Sequence, residues 1–334
     1  MDHEVSQRRV GTNGIELDVH EAGRPGDPVV LLLHGFPECA YSWRHQMGPL
    51  ADAGYHVLAP DQRGYAGSDA PDTVEAYHVD HLAGDLLGLL DDAGAAQATV
   101  VGHDWGALVA WDMARMFPER INALVAVSVP YTPWPAPPTA VLEHIYGDDF
   151  FYILYFQDVG PPEAELETDV RASLHHILWS ASGENFPRSG VERLPAIGTG
   201  FLDVVTAPDD TAVLPGWLTA ADLDVYVQAF EHSGFFGPIS WYRNLDANYT
   251  ATEHLSADRM IMPSCFIAGS NDLVIHGRPE RLASMEANVP DLRRSVILDG
   301  IGHWTQQEDP DGFNEALLGF LADLADLDDA SARR

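Results

Sequence analysis

Residue 104 is an aspartate at the apex of the turn Gly102-His103-Asp104-Trp105-Gly106. A short apolar run, residues 99–101, precedes the turn, and residues 107–117 after it have the apolar spacing of a helix. Strand, sharp turn and helix, with glycines two residues either side of the apex, is the sequence form of a nucleophile elbow. The apex is held in a strained backbone conformation, and small flanking residues let strand and helix approach. Enzymes that cleave esters carry serine there. A carboxylate is already ionised at neutral pH and attacks an alkylating electrophile with no base to deprotonate it.

Further reactive groups are sought where each strand ends, because ligands of open α/β sheets bind outside the carboxyl ends of the strands. The apolar run 29–33 ends in His34-Gly35-Phe36-Pro37-Glu38, and the next strand, 56–60, ends in Asp61-Gln62-Arg63-Gly64. A late strand is followed by Gly269-Ser270-Asn271-Asp272, and the last by Gly300-Ile301-Gly302-His303-Trp304. Nucleophile, acid and histidine in that chain order are the order of α/β-hydrolases. Asp104, Asp272 and His303 therefore reach one rim. Each also has a structural reading: a helix cap for Asp104, an Asx-turn for Asp272 and a satisfied core histidine for His303.

The elements that must position these groups follow from periodicity. A hairpin is predicted over 10–21 around Thr12-Asn13-Gly14, then helices over 42–51 and 77–90, and a strand over 123–129. Pro130, Pro133, Pro135, Pro137 and Pro138 make a stiff connector. Residues 131–256 read as helices without strands, at 141–157, 163–182 and 220–233, the last capped by Thr219. Sheet pattern resumes with a strand at 263–268, a helix at 279–287, a strand at 295–298 and a helix at 311–324. The tail 326–334 is expected to fray. The fold class is α/β, a mostly parallel sheet with helices on both faces. Residues 1–130 and 257–334 form its core, and 131–256 a helical insertion.

Composition narrows the partners. The chain has 334 residues, 18 basic against 51 acidic, for a net charge of −33, and every basic residue is Arg. Such a surface repels nucleic acid and anionic membranes, so neither is an expected partner. No apolar run reaches the roughly 18 residues of a membrane span. The first ten residues show no secretory apolar segment, so a cytoplasmic location is expected. Cys39 and Cys265 are expected as free thiols, and neither has metal-type spacing. His78 and His81, three apart on an expected exposed helix, lack further ligands for a metal. Neither metal nor cofactor is expected.

The quoted stretches, with their continuations, carry a resemblance. VGHDWGALVAW (101–111), HGFPECAYSWRHQ (34–46), DQRGYAGSD (61–69) and GIGHWTQQEDP (300–310) resemble the epoxide hydrolase branch of the α/β-hydrolase superfamily. FYILYFQDVGPPEAELE (151–167) and HSGFFGPISWYRN (232–244) resemble the two cap segments that hold that family's ring-opening tyrosines. The similarity runs from about residue 9 to 324. It implies an α/β-hydrolase fold with a helical cap and without the N-terminal phosphatase domain of vertebrate soluble relatives. Matched residue by residue, it implies Tyr152 and Tyr242 as the tyrosines and Asp104, Asp272 and His303 as the triad. The backbone N–H groups of Phe36 and Trp105 are the implied oxyanion donors, with a cis peptide at Phe36-Pro37. Phe36, Trp105 and Trp304 are expected to line the substrate pocket. Ala66 departs from the pattern, since many relatives carry glycine there.

The implied chemistry suits the residues. A carboxylate opens a strained ether ring, two phenols donate hydrogen bonds to the leaving oxygen, and a histidine activates water to cleave the alkyl ester. The expected partners are a small epoxide and water, with monomer and homodimer both compatible. Tyr152 lies among Phe150, Phe151, Tyr155 and Phe156, so core packing is its structural reading. Haloalkane dehalogenases share the aspartate and histidine, but they usually carry Asn at the position of Phe36. Fluoroacetate dehalogenases usually carry Arg at that of Trp105. A non-catalytic binding protein on the same fold is disfavoured, because all five chemical positions are filled.

Overall fold

The computed structural model describes residues 5–185 and 194–332. Asn13 and Gly14 sit at φ 45° and 80°, a two-residue loop that folds β1 (Ser6–Thr12) antiparallel onto β2 (Ile15–Ala22). β3 (Val29–Leu33), β4 (His56–Asp61), β5 (Ala98–His103), β6 (Ile121–Val127), β7 (Ser264–Gly269) and β8 (Leu292–Leu298) complete an eight-stranded sheet. Its order is β1-β2-β4-β3-β5-β6-β7-β8. β2 pairs antiparallel with β4, and every pair from β4 to β8 is parallel. That is the mostly parallel sheet expected.

Alternation along the buried strands sorts side chains into two cores. Leu31, Leu33 and Val100 join one, with Leu82 and Leu86 of α2 (Val79–Asp92) and Val109 and Met113 of α3 (Trp105–Met116). Val30, Leu32 and Val101 join the other, with Met47 and Leu50 of α1 (Arg44–Asp52) and Phe313, Leu317 and Phe320 of a C-terminal helix. Period two in the strands thus meets helices on both faces.

Between β6 and β7 the chain is helical, with one isolated bridge, Asp149 to Pro195, among the described residues. The helix expected over 141–157 is two: α4 (Pro138–Tyr146) and α5 (Tyr152–Tyr155), parted at Gly147, whose φ is 56°. The helix expected over 163–182 also divides, into α6 (Pro161–Glu167) and α7 (Val170–Ser180). Asp169 accepts from the Ala172 N–H and restarts the helix as a cap. α8 (Ala220–Ser233) has the Thr219 cap foreseen. It is followed by two helices the periodicity does not single out, α9 (Phe236–Arg243) and α10 (Leu245–Thr252).

The core closes with α11 (Pro279–Asn288), α12 (Thr305–Glu308) and α13 (Pro310–Ala332). The tail expected to fray from 326 is instead helical to Ala332, because α13 continues unbroken; residues 333–334 lie outside the described residues. His78 is not on the face of a helix but caps α2, accepting from the Asp80 N–H. No group of three metal-ligating side chains occurs among the described residues. Among the same residues, no helix is long and apolar enough to cross a membrane.

Candidate active site

β5 ends and α3 begins at Asp104, which takes φ 49° and ψ −115°. A non-glycine residue there costs about 1–3 kcal/mol, met only where the surroundings impose it. They do: a Cβ on Gly106 would collide with the Leu33 carbonyl, so the helix packs on β3 only as glycine. Gly35 plays the same part from the other side, where a Cβ would strike the Asp104 side chain. The cap reading of Asp104 fails, since its side chain makes no capping bond. Its Oδ1 accepts instead from the Phe36 N–H at 3.0 Å, across the loop.

His303 presents Nε2 at 3.7 Å from Asp104 Oδ2, and its Nδ1 lies 3.2 Å from both oxygens of Asp272. Asp272 is fully buried and also accepts the Val274 N–H at 2.8 Å. The Asx-turn and the orienting role are therefore one arrangement: the turn aims the carboxylate. Burial opposes charge on His303, but Asp272 and Asp104 outweigh it and push its pKa well above the ordinary value. Burial likewise opposes charge on Asp104, yet His303 holds its carboxyl below the usual range. The two form an ion pair.

Tyr152 opens α5 and Tyr242 lies on α9, with ring centroids 5.9 Å apart. The Gln157 amide donates to the carbonyls of both Ile153 and Tyr242, at 2.9 and 3.1 Å, and so ties the two helices together. Tyr242 meets Trp105 and Phe36 edge-on at 4.9 and 5.7 Å. Burial raises the pKa of both phenols, and the Asp104 charge raises them further, so both hold their protons as donors. The packing reading of Tyr152 holds in part, with its ring 5.4 Å from Phe201. Trp304 is buried behind His303, ring centroids 4.9 Å apart, with its N–H on the Leu178 carbonyl.

The Asp61-Gln62-Arg63-Gly64 turn carries structure. Gln62 clasps His34 through two hydrogen bonds, and the Arg63 carbonyl accepts the Trp241 N–H at 3.2 Å, one residue before Tyr242. Arg63 is itself held by buried Asp85 at 2.7 Å. Burial pushes His34 down to about 4, so it stays neutral while joining this turn to Gly35. The Phe36–Pro37 peptide is cis.

Sequence reasoning missed a buried pair beside Asp104. His103 Nδ1 lies 2.7 Å from Glu38 Oε2, and its Nε2 2.8 Å from the His303 carbonyl. Both ring nitrogens face oxygen atoms. Glu38 also accepts from Gln306 and Gln307 at Oε1 and from Gly35 N–H at Oε2. Burial works against its charge, and His103 reverses that, holding the carboxyl below its ordinary range. Glu38 and His103 stand inside the two quoted motifs, next to Pro37 and Asp104, but only the folded loops pair them.

Known proteins resemble this chain over nearly its whole length. The α/β-hydrolase fold family matches residues 28–310. Epoxide hydrolase A of Mycobacterium tuberculosis is 46% identical over 321 residues, 96% of this chain and 98% of that protein. The bifunctional epoxide hydrolase 2 of Sus scrofa is 37% identical over 92% of this chain but 53% of its own length. Among solved structures, epoxide hydrolase A from Mycobacterium thermoresistibile superposes with TM-score 0.86 at 45% identity, covering 96% of this chain and 98% of that one. An epoxide hydrolase from an endophytic Streptomyces gives 0.90 at 38%, covering 96% of each.

Proposed function

We propose, from the premise that the chain belongs to the epoxide hydrolases of the α/β-hydrolase fold family, how its own residues divide the work. The reaction is hydrolysis of an epoxide to a vicinal diol. Asp104 attacks a ring carbon; the C–O bond breaks, and the leaving oxygen takes a proton from Tyr152 or Tyr242, giving a hydroxyalkyl ester. The phenolate regains its proton before the next turnover. Residues 131–256 act as the lid that carries the two tyrosines over the nucleophile.

Ester formation changes the electrostatics of the second step. Alkylated Asp104 has no charge, so one of the two carboxylates that hold His303 protonated is gone. His303 passes its proton to the tyrosine phenolate and becomes the base that takes a proton from water as the water attacks the ester carbonyl. Collapse of the tetrahedral intermediate breaks the bond to the diol oxygen, which takes the carboxyl proton, and Asp104 is again a carboxylate beside protonated His303. Asp272 keeps the ring oriented. The tetrahedral oxyanion forms where Asp104 Oδ1 already meets the Phe36 N–H. The Trp105 N–H, at the first position of α3 and so without an intrahelical acceptor, is the second donor. Phe36, Trp105 and Trp304 border the substrate.

The observation that carries this reading is an Asp104 carboxylate freed from capping and held between the Phe36 N–H and His303. A cytoplasmic site of action fits Cys39 and Cys265 as buried free thiols. The test is one turnover of a styrene-type epoxide in heavy-oxygen water. The oxygen added in the first turnover comes from Asp104 and is unlabelled; solvent label in that product would exclude the covalent route.

A further inference from the structure

We infer that Gln307 is a positioning residue that couples the seating of the lid to the charge held beneath the nucleophile. Gln307 is buried, at 1% exposure, and its amide is used at both ends. The nitrogen donates to Glu38 Oε1 at 2.8 Å. The oxygen accepts from Arg44 at 2.6 Å and from the Tyr226 hydroxyl at 2.8 Å. One orientation of the carboxamide satisfies all three neighbours, since flipping it would set an amine against two donors and an oxygen against a carboxylate.

Tyr226 belongs to α8 of the insertion, and the same face of that helix carries Asp222 one turn earlier and Phe230 one turn later. Asp222 accepts from Tyr41 at 2.8 Å and pairs with Arg44 at 3.3 Å, while Phe230 packs on Phe36 and Tyr65. The lid helix therefore docks on the core through a polar contact that ends at Gln307. From there the path is short: Gln307 to Glu38, Glu38 to His103, His103 to the His303 carbonyl.

His103 foremost holds Glu38 below its ordinary range; of the four donors that meet the carboxylate, Gln307 is the one whose aim depends on the lid. The other titratable and charged groups facing Glu38 are His103 of β5, His34 after β3, Cys39 beside it, Tyr65 of the 61–69 turn and Tyr226 itself. Arg44 stands behind Gln307. With the lid seated, the Tyr226 hydroxyl holds the Gln307 oxygen and the amide N–H is spent on Glu38. Lifting the lid withdraws that hold and takes Asp222 away from Arg44, the remaining donor to the Gln307 oxygen. Glu38 then gains proton affinity, and its protonation loosens the hold on His103, whose other nitrogen seats the His303 carbonyl. The open enzyme is thereby kept out of the state that hydrolyses the ester.

This inference rests on the assignment of Asp104 and His303 above. Its test is the pH dependence of the ester-hydrolysis step, read in single turnovers of the full-length enzyme with a styrene-type epoxide. Gln307→Met removes the donor and keeps the bulk; its acid limb moves up by about one pH unit, the worth of one hydrogen bond to a carboxylate. Tyr226→Phe moves the limb in the same direction by a smaller amount and leaves the rate at alkaline pH within threefold of wild type. A Gln307→Met limb that stays in place overturns the proposal, whatever happens to stability. A limb that moves in Gln307→Met but not in Tyr226→Phe overturns the link to the lid. Were the wild type inactive on every epoxide, the functional reading would fall instead. The Glu38 carboxyl carbon resonance would still report the shift between wild type and variant.

Discussion

Replacing His303 by Gln separates the two halves of the reaction. In the folded enzyme His303 Nε2 stands 3.7 Å from the nucleophile, on the side away from the Phe36 N–H. Gln cannot take a proton from water, so the second step loses general-base catalysis, a deficit of about 10²–10⁴-fold or roughly 3–5 kcal/mol of barrier. Asp104 loses the partner that depresses its pKa, yet it keeps the Phe36 N–H and the His103 charge, both of which favour the carboxylate. It stays ionised at neutral pH, and ring opening continues. The variant should therefore accumulate the hydroxyalkyl ester. Intact-protein mass spectrometry after mixing with excess epoxide should show one adduct equal to the whole mass of the substrate, because no atom leaves in the addition. Asp104→Ala should show none. Turnover by His303→Gln above a tenth of the wild-type rate, with no adduct, would refute the division of labour.

Other outcomes follow from the same contacts. Tyr152→Phe and Tyr242→Phe should each slow ring opening by about 10²–10⁴-fold while leaving hydrolysis of a preformed ester unchanged, measured as separate single-turnover phases; an unchanged alkylation rate in the double variant would remove both from the mechanism. Glu38→Gln breaks a buried charged pair and should cost about 3 kcal/mol in denaturant unfolding at neutral pH. Because the folded state depresses the Glu38 pKa, the wild-type advantage is full above the ordinary value of 4.5 and is lost as pH falls through the folded value; a difference that grew toward acid would contradict the pairing. Gly106→Ala should drive a methyl into the Leu33 carbonyl, separating α3 from β3 and costing diol formation before the protein unfolds, seen as lost activity with a lowered melting midpoint.

Much of the core is legible because its signals are local. Five consecutive apolar residues, Val29–Leu33, admit little but a strand buried on both faces, and the observed strand has those bounds. The Asn13-Gly14 turn declares its own geometry. In the insertion the cues are local but weaker than the apolar rhythm around them: Gly147 and Asp169 each end or restart a helix within a stretch that otherwise reads as continuous. Phe236–Arg243 went unseen for a different reason, being apolar nearly all round and buried along most of its length, so no amphipathic stripe marks it. The meeting of Asp104, Asp272 and His303 is readable from chain order because the sheet topology brings strand ends together. The Glu38–His103 pair is not, since it joins a loop residue to a strand end 65 residues away through a hydrogen bond that neither segment shows by itself.

Gln157 makes the two tyrosine-bearing helices a single jaw. Its amide spans Ile153 and Tyr242, and Arg243 adds an ion pair to Glu163 at 2.7 Å. Tyr152 also rests on Phe201, in the stretch between α7 and α8, where Ile197 and Val213 face solvent. A change at Phe201 therefore reaches Tyr152 directly, whereas Gln157 fixes the spacing of the two helices from within. An engineer who alters the stretch between α7 and α8 should expect the Tyr152 ring to follow Phe201, and should leave Gln157 alone.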